Sequence, residues 1–306
     1  MDSLTRAGLT PLRLAVRSWK SINEDDVFGR AAGLSYYFML ALFPLLLFLL
    51  SLFGLLAGPG SELRANLLQL LARAIPASAS QLIYKTIDEV TKNSGGGKLT
   101  FGLLAALWTA SNGVSAVMES LNIAYHVKET RSWLRKHVVS VGLTVALSIL
   151  VTIALTLVLY GGKIADFMVQ HFGLGAPFKI AWLVLQWPIV VAFMLVGYAL
   201  IYYFAPNLDE PKWTWVTPGA VIGFALWVIA SVALRIYLHF FNSYSATYGS
   251  LGAAIILMLW LYLTGAAILI GGEINAEIKH AEVDKEKQDE RRRMLDRRFE
   301  QELKAA

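Results

Sequence analysis

Four polar side chains recur at helical intervals inside an otherwise apolar stretch. In SNGVSAVMESLN, which follows directly on LTFGLLAALW, Asn112, Ser115, Glu119 and Asn122 are spaced by 3, 4 and 3 residues. That spacing puts all four on one face of a helix, with Val114, Val117, Met118 and Leu121 on the other, the face that suits lipid or close packing. A carboxylate in the hydrocarbon core of a bilayer costs about 2.5–3.5 kcal/mol, so the polar face must look into a helix bundle or a wet cavity. There it can bind a polar group, form part of a pathway, or hydrogen-bond neighbouring helices.

A second polar face, Ser231, Arg235, His239 and Asn242, leads into the uncharged segment SYSATYGSLGA, Ser243–Ala253, which carries Tyr248. Gly249 and Gly252 would permit a sharp re-entry into the next helix there. A third group, Glu273 and Asn275, lies in GGEINAEI. Asn112, Ser115, Glu119, Asn122, Arg235, His239, Asn242, Tyr248, Glu273 and Asn275 are therefore the candidates for substrate binding or a polar pathway. No catalytic set accompanies them. The histidines, His126, His137, His171, His239 and His280, have no paired spacing. There is no HExxH and no phosphate-binding glycine loop. The chain has no cysteine. No metal and no cofactor is expected.

The elements that must position these residues follow from composition. Of 306 residues, 56% are hydrophobic and 16% charged, and mean hydropathy is +0.54. A soluble domain has about 25% charged residues. The charges gather in residues 1–30, in short intervals and in the tail, as in a polytopic α-helical membrane protein. The net charge of +5 then reports orientation rather than nucleic acid.

A span needs about 20 apolar residues. Six stretches qualify: 31–57, 99–124, 138–160, 181–204, 218–241 and 252–272. All six read as helices, giving an all-α fold, since strands of a barrel would alternate strictly. Thr217 can cap the fifth helix with Pro218 at its first position. Pro44 and Pro188 fall inside the first and fourth spans, where membrane helices tolerate kinks. Residues 1–30 lack a secretory apolar core, so the first span is expected to act as the insertion signal. Interval 58–98 has apolar residues at helical spacing, Leu63, Leu67, Leu70 and Ala74, then Ile83, Ile87 and Val90 after Pro76. Two short amphipathic helices on the outer surface are expected there. Residues 279–306 are expected as a charged tail, read as a solvated helix.

With six spans, 19 Lys and Arg lie on the side of the termini and 8 on the other. Both termini are therefore expected in the cytoplasm. Glu119, Glu273 and Arg30 then share one depth, which motivates an Arg30–Glu119 or Arg30–Glu273 ion pair.

The segments AAGLSYYFMLALFPLLLFLL, WTASNGVSAVMESLNIAYHV, YYFAPN, TPGAVIGFALW and NSYSATYGSLGAAIILMLWLYLTGAAILIGGEINAEI resemble those of the YihY/virulence factor BrkB family, from Val27 to Ile278. The resemblance implies a six-span inner-membrane protein of bacteria. Family members have been labelled virulence or serum-resistance factors, ribonucleases (ribonuclease BN among them) and transporter-like envelope proteins. It hands over no catalytic residues. The matched polar positions are Asn112, Glu119, Asn122, Asn207, Asn242, Tyr248, Ser250, Glu273 and Asn275.

The scattered histidines disfavour a nuclease. An intramembrane serine protease, with Ser250 and His239, has the wrong glycine spacing. Two readings remain: a transporter or lipid translocator, and a non-transporting scaffold whose polar faces are packing. The expected partners are membrane lipids, a lipid or amphiphilic anion as substrate, and a second copy of the chain as a candidate homo-oligomer; nucleic acid is not expected.

Overall fold

A computed structural model of the chain describes residues 8–56, 96–173, 175–209, 211, 213–240 and 243–305. The expected amphipathic helices of 58–98 and the side chains of Asn242, Tyr248 and Ser250 lie outside the described residues. Among those described there is no strand. The helices are α1 (Pro11–Glu24), α2 (Val27–Leu56), α3 (Gly96–Ala124), α4 (Trp133–Phe172), α5 (Ala176–Phe204), α6 (Pro218–Phe240) and α7 (Ser243–Ala305).

Among the described residues four helices are long and apolar enough to cross a membrane, within α4, α5, α6 and α7, and Val27–Leu42 is a shorter apolar stretch. Their outer faces carry exposed Ile153, Leu155, Val184, Trp187, Ile229 and Ile236. So continuous an apolar surface is stable against lipid rather than water.

Helices α2 and α5 run through Pro44 and Pro188, as the sequence implies. Thr217 accepts from Ala220 N at 3.1 Å and so caps α6, with Pro218 as its first residue. Two segments differ from expectation. Helix α4 continues past Tyr160 to Phe172 and ends where Gly173 adopts φ 64°, the left-handed cap that glycine favours. Residues 243–253 form the first turns of α7 instead of a re-entry loop. Once helix is continuous there, each added residue gains a backbone bond. The span and the tail are thus one helix of 63 residues, about 95 Å long. Its residues from Val283 to Arg297 are all exposed.

Helix α7 is the hub. It packs against α6, α2, α1 and α3, while α4 pairs with α5 and α2 with α3. The core joins Val27, Leu34, Met118, Leu121, Tyr202 and Leu269. Backbones approach closest where α6 crosses α7. A Cβ on Gly219 would lie 2.0 Å from Gly271 O, and one on Gly271 would lie 2.2 Å from the Tyr202 hydroxyl. Small residues permit such crossings in membrane bundles. Tyr202 Oη donates to Ile268 O at 2.8 Å and closes the same crossing.

Helix α1 was not expected as an element. Thr10 caps it, accepting from Arg13 N at 3.3 Å, and Pro11 opens it. Leu14 meets Ile274, Ile278 and Ala281 of α7. Arg17 Nε and Ser21 Oγ both donate to Glu277, each at 2.7 Å.

Candidate functional site

The polar face of α3 opens into a cavity of about 340 Å³ between α2, α3 and the start of α4. Helix α2 contributes Tyr37, Leu40 and Ala41; α3 contributes Thr109, Asn112, Ser115, Ala116 and Glu119; α4 contributes Lys136 and His137. The opposite face of α3 supplies the packing surface, with Val117, Met118 and Leu121 buried. The helical spacing that separates the two faces is the one legible in the sequence.

Glu119 does not pair with Arg30. Lys136 Nζ donates to Glu119 Oε1 at 2.5 Å, with Glu119 63% and Lys136 19% exposed. Arg30 Nε instead donates to the carbonyl of Asp25 at 2.7 Å, and Arg30 lies close enough to Glu273 for their charges to interact. Depth alone ignores azimuth: Lys136 in the first turn of α4 lies on the same side of α3 as Glu119 and takes the place expected for Arg30.

That turn is fixed by a polar clamp. Arg131 donates to both carboxylate oxygens of Glu129 at 2.7 Å and to the carbonyls of Phe204 and Ala205. Asn122 Nδ2 donates to Glu129 at 2.9 Å, and Asn122 Oδ1 accepts from Asn207 N at 2.7 Å. Asn207 also reaches Lys128 O and Thr130. The Arg131 hydrogen bond holds the Glu129 carboxyl down to about 2, with Asn122 adding to it against the opposing effect of partial burial. Ser132 then starts α4, accepting from Arg135 N. Asn122, on the polar face by sequence, therefore uses both its amide nitrogen and its oxygen to hold two intervals together.

The cavity rim is aromatic. The His137 ring stacks on Trp108 at 4.7 Å and lies 4.3 Å from Trp133. Its Nδ1–H donates to Trp133 O at 2.9 Å. Trp108, Trp133 and Leu40 are exposed there, and Leu104 is exposed one turn before Trp108 on α3. Inside the cavity Ser115 Oγ is buried without a hydrogen-bond partner.

The other sequence candidates are placed apart from this cavity. Asn275 accepts from Gly219 N at 2.9 Å and donates to Thr217 at 2.9 Å, tying α7 to the α6 cap. Arg235 and His239 are exposed on α6, while Ser231 accepts from Trp260 of α7 at 3.2 Å. Glu273, 1% exposed, lies within hydrogen-bonding reach of Asp25, and its Oε2 has no partner. Around that pair His126 Nε2 stands 3.4 Å from Asp25, and the His126 and His280 rings stack at 4.9 Å. Asp26 and His126 both hold positive φ, 48° and 52°, a backbone strain that costs about 1–3 kcal/mol per residue. Among the described residues no three His, Asp or Glu groups form a metal-holding cluster.

Sequence reasoning missed Tyr37, Trp108, Lys136 and His137 at the cavity, and Asp25, His126 and His280 at the buried cluster. Lys136 carried a usable signal: it follows Glu119 by 17 residues across a short interval and so returns to its depth. The histidines carried none, because their stacking joins residues 126 and 280 through tertiary packing alone.

The family model of Virulence factor BrkB matches residues 18–295. The chain is 38% identical over 248 residues to YfkH of Bacillus subtilis, named a ribonuclease-like protein, covering 81% of this chain and 88% of that one. It is 29% identical over 219 residues to the UPF0761 membrane protein IL2447 of Idiomarina loihiensis, covering 71% and 74%. A UPF0761 membrane protein of Tolumonas auensis is 24% identical over 269 residues, covering 87% and 85%. No solved structure matches. The chain, helical without strands among its described residues and matched by this family model over nearly its whole length, belongs to the Virulence factor BrkB family.

Proposed function

We propose that this chain is a multi-pass protein of the bacterial inner membrane, with α2 to α7 as six spans and both termini cytoplasmic, and that it binds and translocates a lipid-like amphiphile. The observation that carries the reading is the cavity between α2, α3 and α4: an ion pair at its mouth, hydroxyl and amide groups within, and exposed apolar side chains beside it. A site that is polar at one end and open to apolar surface at the other matches an amphiphile rather than a small soluble ion. The reading is non-enzymatic. A carboxylate and an ammonium neutralising each other supply neither a poised base nor a nucleophile, and the ribonuclease-like name belongs to YfkH.

The test is translocation of fluorescent phospholipids in liposomes containing the purified protein. Faster loss of inner-leaflet protection than in empty liposomes, reduced by Glu119→Gln with the fold intact, is the expected result. Rates equal to those of empty liposomes would favour a scaffold. That second reading draws support from Asn122 and Asn275, whose polar groups are taken up in structural bonds.

A further inference from the structure

We infer that the α2–α3–α4 cavity takes the head group of a zwitterionic phospholipid with a primary amine, its phosphate on Lys136 and its ammonium on Glu119. This rests on the amphiphile reading above and names the substrate class. Four observations carry it.

The ion pair is the first. Glu119 and Lys136 are each other's partner at 2.5 Å, so any ligand that enters must replace both halves. A purely anionic head would occupy Lys136 and leave the Glu119 carboxylate facing it, and a purely cationic head would do the reverse. Like charges at such separations repel. A head group carrying both signs replaces the pair without leaving either residue unmatched.

The second observation is the state of the aromatic rim. A quaternary ammonium is recognised by open aromatic faces arranged as a box. Here Trp108 stacks one face on the His137 ring at 4.7 Å and Trp133 lies tilted against that ring at 4.3 Å, so His137 packs against both exposed indoles and they form no box. The Glu119 carboxylate rewards N–H donors, which a primary amine has and a quaternary ammonium lacks.

Third, the cavity holds polar groups in excess of its ion pair: Thr109, Asn112 and the unpartnered Ser115 Oγ. These suit phosphate and ester oxygens. Fourth, Leu40, Leu104 and Trp108 are exposed on the flanks of α2 and α3, a surface on which acyl chains can lie. It distinguishes a lipid from a free amino-phosphate.

The experiment is a binding measurement on the full chain in detergent, using phosphatidylethanolamine, phosphatidylcholine and phosphatidylglycerol, with free phosphoethanolamine as competitor. Phosphatidylethanolamine is expected to bind about tenfold tighter than either other lipid, the size of one good charge-assisted contact. Glu119→Gln should remove that preference, by weakening phosphatidylethanolamine binding and by relieving the repulsion that disfavours phosphatidylglycerol. Lys136→Gln should weaken both lipids, and Lys136→Arg should retain them. The double swap Glu119→Lys with Lys136→Glu restores an ion pair and therefore the fold, yet should lose phosphatidylethanolamine because the polarity is inverted. Equal or tighter binding of phosphatidylglycerol, or unchanged binding by the swap, would overturn the head-group assignment alone. Competition by free phosphoethanolamine at the strength of the lipid would keep the head group and overturn the lipid as its source. Retention of no lipid at all would overturn the amphiphile reading with it.

Discussion

Two clusters of ionisable residues lie in this bundle, and they are built in opposite ways. The α2–α3–α4 cavity sets one carboxylate against one ammonium, with Glu119 63% exposed. The other brings Asp25 and Glu273 together beside Glu277, His126 and His280, with Glu273 1% exposed. The first can exchange its partner for a ligand, because water and head groups reach it. The second is buried at its carboxylates and braced by α1, whose Arg17 and Ser21 grip Glu277, with only His126 largely exposed. Residue type alone does not separate them; access does. An ion pair at an open mouth adds little to stability, whereas buried carboxylates and their partners are expensive to disturb.

Substitutions sharpen that contrast, from the largest effect to the smallest. Arg131→Ala is expected to cost about 3 kcal/mol, since it strands Glu129 and two carbonyls; thermal unfolding in detergent would show it, and a loss below about 1 kcal/mol would mean the clamp is not what fixes α4. Glu277→Ala should cost about 2 kcal/mol by leaving the buried Ser21 hydroxyl unpaired, and α1 should become the first site of limited proteolysis. If α1 stays protected, the Leu14 contacts alone hold it.

Acid tests the clamp by another route. The folded-state pKa of Glu129 is lowered to about 2 from its ordinary 4.5. Its contribution is therefore complete above 4.5 and lost as pH falls toward 2. Stability measured across that window should fall in the wild type, and the part due to Glu129 should vanish in Glu129→Gln. Identical profiles would remove Glu129 from the account. The smallest effect on stability belongs to Glu119→Gln, below about 1 kcal/mol because the pair is exposed. That same change should have the largest effect on lipid preference, which is the sharpest difference between the two clusters.

Much of the bundle can be read from the chain, and the misses are instructive. Thr217–Pro218 marks a helix start in the sequence and does so in the structure. Thr10–Pro11 is the same signal and opens α1, but its apolar face is short and meaningful only once Ile274 and Ile278 are there to receive it. The re-entry expected at Gly249 and Gly252 is helix instead. Glycine permits a bend without requiring one.

The sequence by itself determined the class, most of the helices and the two faces of α3. Hydropathy and a 3.6-residue period are local quantities that survive without knowledge of neighbours. Only the tertiary structure decided which polar residues are open and which are satisfied. Asn122 and Glu119 lie three residues apart on one face, yet one is bound from two intervals and the other looks into a cavity. Their difference comes from Glu129, Asn207 and Lys136, placed by the packing of other helices. Partners distant in sequence set burial and charge compensation, and those two quantities separate a structural polar group from one free to bind.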